Sequence, residues 1–464
     1  MQLTVRLGSH FGPWSFYKQA LTIALPVMLQ QFIMSMVSLI DNFMIAGLGD
    51  INMAAVNVTN QINFIFMVIV NTICQAGGIY LAQFRGAQDN AGMQNAFRFK
   101  VIFGIIAAAL YFTLCQTIPH RLLAMMTMGN AAQEDIIAVG ANYCRLVSWT
   151  VFPFSISTAV ATSFREIAKP KAPLVISAIA TVLNTFGNWI FIYGNLGAPR
   201  LEVTGAAYTT IAARIIEGIV YVSFASSVKA PFFVGITRLF HIGRGIISRI
   251  LSRSAMIFVS ELSWVGSETI MTAMYNRRGG AEIVAGMAAG WTIANIFFLL
   301  FGGIWTAAAV LVGGALGANQ LDEARRRAKW LGSGSCAAGF IIAMPGALLS
   351  AILIPLVFSN LSAEARATSI GLVFVILAYM PLWGILNMQF AVSRAGGDTA
   401  LGMWVDLIVN SFIFIPGAVI LSMLTSMPPV LMFGVLKLSD IIKCLLARHL
   451  LRRERWVKNL TVSE

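Results

Sequence analysis

The chain has 464 residues, 58% of them hydrophobic and only 11% charged, with a net charge of +13 at neutral pH. Soluble domains carry about 25% charged residues, so no water-soluble core absorbs this much apolar surface. The basic excess by itself would suit a nucleic-acid binder, but its placement along the chain, described below, points to lipid headgroups instead.

Twelve apolar runs follow one another, at roughly 16–46, 52–81, 94–118, 135–164, 171–194, 203–226, 246–275, 283–315, 329–357, 367–392, 399–424 and 428–450. A membrane-spanning helix needs ~20 apolar residues. Runs this long exclude the ~9–11-residue strands of a membrane barrel. The sequence therefore predicts an all-α integral membrane protein with twelve transmembrane helices. The first run is longer than a signal-peptide core and no small-residue cleavage site follows it, which predicts a retained first helix.

In chain order, the first run carries Gln30 and, about 25 residues into the span, Asp41. At ~1.5 Å per residue this places Asp41 toward the extracellular half. A charged side chain at a helix centre costs ~2.5–3.5 kcal/mol on insertion scales, so it marks a functional position by default. Gln61 in the second run joins Gln30 as a polar residue expected to line a cleft. The fifth run holds Asn184 and Asn188, four apart and so on one helix face; their amide oxygens suit a hard cation such as Na+. In the sixth, Arg214 stands three before Glu217, the spacing of an intrahelical pair. Residues 227–246, with Pro231, Gly235, Gly243 and Gly245, read as a cytoplasmic linker. The seventh run carries Glu261 and Glu268, two turns apart on one face, with Glu261 expected to face the cleft. Asp406, early in the eleventh run, is predicted to be a helix-end partner for a nearby cation.

The chain also repeats itself. LAQFRGAQDNAGMQNAFRF (81–99) and LVGGALGANQLDEARRRAKW (311–330) share a Gly-Ala pair, Gly86-Ala87 and Gly317-Ala318, 231 residues apart. SFREIAKPKAPL (163–174) and SRAGGDTALGM (393–403) set Arg165 against Arg394, 229 apart. Six spans per half is an even number, so both halves enter the membrane in one direction, as in a parallel repeat. The expected organisation is an N-terminal lobe over 1–226, the linker over 227–246, and a C-terminal lobe with a basic tail over 247–464. With both termini cytoplasmic, one side collects most of the cations, among them Arg85, Lys100, Arg165, Arg249, Arg325, Arg326, Arg327 and Arg394, and the tail from Lys443 to Lys458. The other side holds Arg121, Arg200, Arg277, Arg278 and Arg366. This is the positive-inside asymmetry. The five cysteines have no metal-ligand spacing. There is no Walker loop, HExxH, Asp-x-Asp or soluble domain, so the chain reads as neither an enzyme nor a cofactor carrier.

Four stretches carry a family resemblance. ALPVMLQQFIMSMVSLIDNFMIAGLGD (24–50) resembles the first helix of the multidrug and toxic compound extrusion (MATE) family. SELSWVGSETIMTAMYNRRGG (260–280) resembles the seventh helix of a bacterial branch. SRAGGDT (393–399) and RRERWVKNLT (452–461) resemble a loop and the tail of bacterial members, and the whole is similar to the DinF-like branch. The resemblance implies the MATE fold, two pseudo-symmetric six-helix bundles in a V. It implies a multi-pass protein of the bacterial inner membrane, a monomer working by alternating access. Organic, often cationic or amphipathic, compounds would be exported in exchange for Na+ or H+. On the same ground Asp41 is the central N-lobe acid, Thr210 a hydroxyl ligand, and a Na+ site is expected at Asp41, Asn184, Asn188 and Thr210. Asn188 stands where the family pattern has Asp, which removes one negative charge. Trp383 stands where one branch has a tenth-helix acid, so a two-acid C-lobe site is expected to be absent, leaving Glu261 and Glu268 as cation-binding candidates. A lipid-linked oligosaccharide or lipid flippase of the wider superfamily is the alternative; it would want a basic cleft.

Overall fold

The computed structural model describes residues 11–127, 132–240, 243–278 and 280–462; residues 241 and 242 of the linker lie outside that set. The regular structure among the described residues is helical. In chain order the helices are α1 (Trp14–Ala46), α2 (Asp50–Gly86), α3 (Asn90–Thr117), α4 (Pro119–Met126), α5 (Gln133–Val147), α6 (Val151–Glu166), α7 (Lys171–Tyr193) and α8 (Glu202–Ser227). After the linker come α9 (Arg244–Arg278), α10 (Ala281–Ala308), α11 (Gly314–Gly317), α12 (Leu321–Val357), α13 (Ala363–Ala395), α14 (Thr399–Val409), α15 (Ile415–Leu424), α16 (Pro429–Lys437) and α17 (Ser439–Leu451). Widened turns at Ala309–Gly313 and Asn410–Phe414 join α10 to α11 and α14 to α15.

Among the described residues, ten helical stretches are long and apolar enough to cross a membrane. The seventh and twelfth predicted runs are helical too, as α9 and α16–α17, but they carry Glu261, Glu268, Lys437, Asp440 and Lys443. Two compact units form. The first comprises Leu29–Leu81 and Asp89–Leu251; the second comprises Met1–Met28, Ala82–Gln88 and Ser252–Glu464.

Inside each unit, small residues set the packing. Lipid supplies no hydrophobic drive between helices, so close dispersion contact through Gly and Ala takes its place. In the first unit a Cβ on Gly205 of α8 would sit 2.6 Å from the Phe191 carbonyl oxygen of α7. In the second, a Cβ on Gly384 of α13 would sit 2.6 Å from the Ser335 carbonyl oxygen of α12. Helix ends are fixed locally. Asp89 caps α3 by accepting from the Gly92 amide at 2.9 Å, and Gly194 ends α7 at φ +76°, a conformation that costs other residues more.

The repeat is visible as a reciprocal contact in the second unit. Gly86 at the end of α2 lies on the Gly314 backbone, and Gly317 at the end of α11 lies on the Gln83 backbone. The same 231-residue shift that relates Gly86 to Gly317 relates Gln83 to Gly314. Each glycine is needed because the other repeat's backbone fills the space a side chain would take.

Candidate functional site

In the first unit α1, α7 and α8 bring the expected N-lobe residues together as two linked pairs. Asn188 Nδ2 donates to Asp41 Oδ1 at 3.0 Å. Asn184, one turn earlier on α7, donates from Nδ2 to Thr210 Oγ1 at 3.3 Å, and Thr210 donates to the Ala206 carbonyl at 2.8 Å. Asn188 is 2% exposed, and its Oδ1 meets no hydrogen-bond donor among the described residues. Such an orphaned buried oxygen is costly and asks for an explanation. Arg214 donates to Glu217 Oε2 at 2.8 Å, the intrahelical pair its spacing predicts.

A polar chain continues from Glu217. Ser177 Oγ donates to Glu217 Oε1 at 2.9 Å and accepts from Gln30 Nε2 at 2.9 Å; Gln30 Oε1 accepts from Arg165 Nη2 at 2.7 Å. Gln30, expected to line a cleft, is thus 3% exposed and fully engaged. Gln61 is exposed. Lys100 and Glu166 form a further buried pair, 2.5 Å apart.

In the second unit the acids differ from Asp41, though not from Glu217 and Glu166, in having charged or ring N–H partners. Glu261 Oε1 accepts from Arg394 Nη1 at 3.0 Å. Arg394 is 6% exposed, and its guanidinium carbon lies 4.5 Å from the Trp305 ring centre. Glu268 pairs with Lys437, whose ammonium lies 4.9 Å from the Phe414 ring centre and 5.3 Å from that of Phe433. Asp406 accepts from Ser260 at 2.5 Å and from Lys443 at 3.1 Å, so it does pair with a cation as expected. Trp383 donates to Asp440 Oδ2 at 2.7 Å. Every one of these carboxylates has a charged or ring N–H donor. Among the described residues no group of three or more His, Cys, Asp and Glu side chains could hold a metal ion.

Lys443, which the sequence places with the cytoplasmic tail, is instead a buried residue of α17. Arg394 and Lys100, counted as loop cations, are buried and engaged with Glu261 and Glu166, and Arg165, counted with them, is half-buried and donates to Gln30. Lys437 was not singled out at all. The signal was present in Lys437, Asp440 and Lys443, three apart in succession on one helical face within an apolar run.

The comparisons with known proteins agree with this architecture. A family model described as MatE matches residues 26–190 and 257–427, segments whose starts are 231 residues apart. A "Probable multidrug resistance protein NorM" of Rhizobium meliloti (strain 1021) is 22% identical over 332 residues, 70% of this chain and 69% of that protein. The chain spans about two thirds of the length of the curated relatives it matches. Among solved structures, a MOP superfamily transporter from Pyrococcus furiosus, described as having a binding pocket of reversed polarity and a suggested different function, superposes with a TM-score of 0.84 at 16% identity. That match covers 96% of this chain and 97% of the other. A MATE structure in complex with MaL6 superposes with a TM-score of 0.83 at 17% identity, covering 95% of this chain and 97% of the other. At these identities the structural matches establish the fold.

Proposed function

The chain belongs to the MatE family, and from that membership we propose that it is a cation-coupled antiporter of the DinF-like branch, exporting organic, often cationic or amphipathic, compounds. It acts as a monomer in the bacterial inner membrane with both termini cytoplasmic, and its lobes are residues 1–226 and 247–464. The "multidrug resistance" names of several relatives support the export reading.

The observation that carries the proposal is the Asp41–Asn188 pair. Asp41 has a neutral amide as its hydrogen-bond partner, and the other oxygen of that amide is unsatisfied. A carboxylate, an amide oxygen and the nearby Thr210 hydroxyl make an oxygen set for Na+; the carboxylate alone suffices for a proton. When Na+ or a proton occupies Asp41, a cationic substrate loses its counter-charge and leaves outward. Release of the ion inward restores the carboxylate. The ion drives transport only if its affinity differs between the two states, and an acid alternating between substrate and ion meets that demand. The flippase alternative wants a basic site, whereas this one centres on an acid.

The test is efflux from proteoliposomes under an imposed Na+ gradient or an imposed pH gradient, one at a time. One gradient should drive export and Asp41→Asn should abolish it. Full efflux by Asp41→Asn removes Asp41 from the mechanism, and absence of efflux under both gradients removes the antiporter reading.

A further inference from the structure

The charged groups just described almost all have partners; Arg85 has none among the described residues. It lies at the end of α2 in the second unit, and its side chain makes no hydrogen bond or ion pair to any described residue. It lines a cleft of about 160 Å³ together with Gln19, Arg327, Gln320 and the backbone of Gly314. Among the described residues no carboxylate lines that cleft. Arg327 donates from Nε to Glu323 at 2.9 Å and from Nη1 to the Leu311 carbonyl at 3.1 Å. Glu323 also pairs with Arg326 at 2.8 Å, so one negative charge answers two guanidinium groups beside the cleft. The local balance is positive.

The shape is open where the ligand would sit. A Cβ built on Gly314 meets nothing within 4 Å. The widened turn at Ala309–Gly313, just before Gly314, puts the Leu311 carbonyl where Arg327 takes it. Such turns are frequent at functional positions.

We propose that the Arg85–Arg327 cleft is a binding site for a phosphate oxyanion, supplied either by a phospholipid headgroup or as free phosphate. Two observations choose that class. The cleft is far smaller than the ~300–1,000 Å³ of pockets that take drug-sized molecules, so it is not a second substrate site. Its donors are guanidinium forks and amides, which match phosphate geometry and exclude cations. Its position beside the basic Arg325–Arg327 run places it where anionic headgroups gather on a positive-inside protein. The site is independent of the Asp41 mechanism.

The experiment measures thermal unfolding of the intact protein in two arms. In one, phosphatidylcholine nanodiscs are compared with nanodiscs containing phosphatidylglycerol. In the other, inorganic phosphate replaces chloride at constant ionic strength in detergent. Stabilisation by phosphatidylglycerol alone assigns a lipid headgroup, and stabilisation by inorganic phosphate assigns a free anion; either supports the site. Arg85→Gln should weaken the apparent affinity about tenfold, the loss of one charge-assisted contact. Gly314→Leu, whose Cβ enters open space, should fill the cleft and abolish the response. Arg121→Gln, an exposed change in the first unit, should retain it. No stabilisation of the wild type in either arm overturns the proposal, as does a wild-type response in both Arg85→Gln and Gly314→Leu.

Discussion

Arg165 and Arg394 end equivalent helices, α6 and α13, and each reaches the first helix of its own half. Arg165 meets Gln30 on α1; Arg394 meets Glu261 on α9. The partners are themselves equivalent, 231 residues apart, like Gly86 and Gly317. The frame has been kept while the charge has changed. In the first half the arginine is answered by an amide, and Asp41 is left with a neutral partner. In the second half Glu261, Glu268 and Asp406 each hold a resident Arg or Lys. A carboxylate already holding an ammonium or guanidinium group has less to gain from an incoming cation than one holding an amide. On the proposed mechanism, ion-responsive chemistry therefore belongs to the first half, and the second half serves as an electrostatically closed partner.

The sharpest way to break that comparison is to neutralise both kinds of acid. Asp41→Asn should leave the protein folded and lose essentially all gradient-driven efflux. Glu261→Gln should do the reverse in character: it leaves the buried Arg394 charge without its carboxylate, and since Glu261 is partly exposed the loss falls at or below the low end of the ~3–5 kcal/mol for breaking a fully buried pair. Thermal unfolding reads this as a loss of stability. Adding Arg394→Gln should recover most of it, since replacing both members is far less costly than removing one. Gln30→Glu, which copies the second half's chemistry into the first, should fold with stability equal to the wild type or above it. If Glu261→Gln is as stable as the wild type, the pairing does not distinguish the halves.

Packing offers a smaller effect that tests the frame alone. Gly384→Ala pushes a Cβ toward the Ser335 carbonyl and should cost ~1–3 kcal/mol, the usual range for overpacking. It should not alter which gradient drives efflux. A change in ion preference would mean that the α12–α13 contact takes part in coupling.

The sequence made the helices, their membrane character and the repeat legible, because apolar length and a recurring Gly-Ala signature are one-dimensional. Asp41, Asn184 and Asn188 were legible for a related reason: polar side chains are conspicuous in an apolar run, and the i, i+4 spacing fixes a shared face. Pairing across the chain was not. Glu261 and Arg394 are 133 residues apart, and no local rule joins them. Lys443 was misplaced because a run that ends in several cations reads as an interface, although the first of them turns inward to Asp406. Gln30 and Gln61 looked alike because helices that are apolar on every face give no periodicity to say which polar residue points inward.

The smallest predicted effect separates a ligand from a strut. Asn184 makes one long hydrogen bond, 3.3 Å to Thr210, and a neutral bond of this kind contributes about 1 kcal/mol at most. Asn184→Ala should therefore barely shift thermal unfolding. If its amide oxygen belongs to the ion-binding set with Asp41 and Asn188, the same variant should raise the Na+ concentration needed for half-maximal efflux several-fold while leaving the maximal rate intact. Removing one neutral oxygen ligand weakens a hard-cation site without removing its charge, whereas a proton-driven carrier needs no such ligand. An unchanged Na+ dependence in Asn184→Ala, alongside a lost response in Asp41→Asn, would remove Asn184 from the ion-binding set and leave it as a helix-pairing residue of α7 and α8.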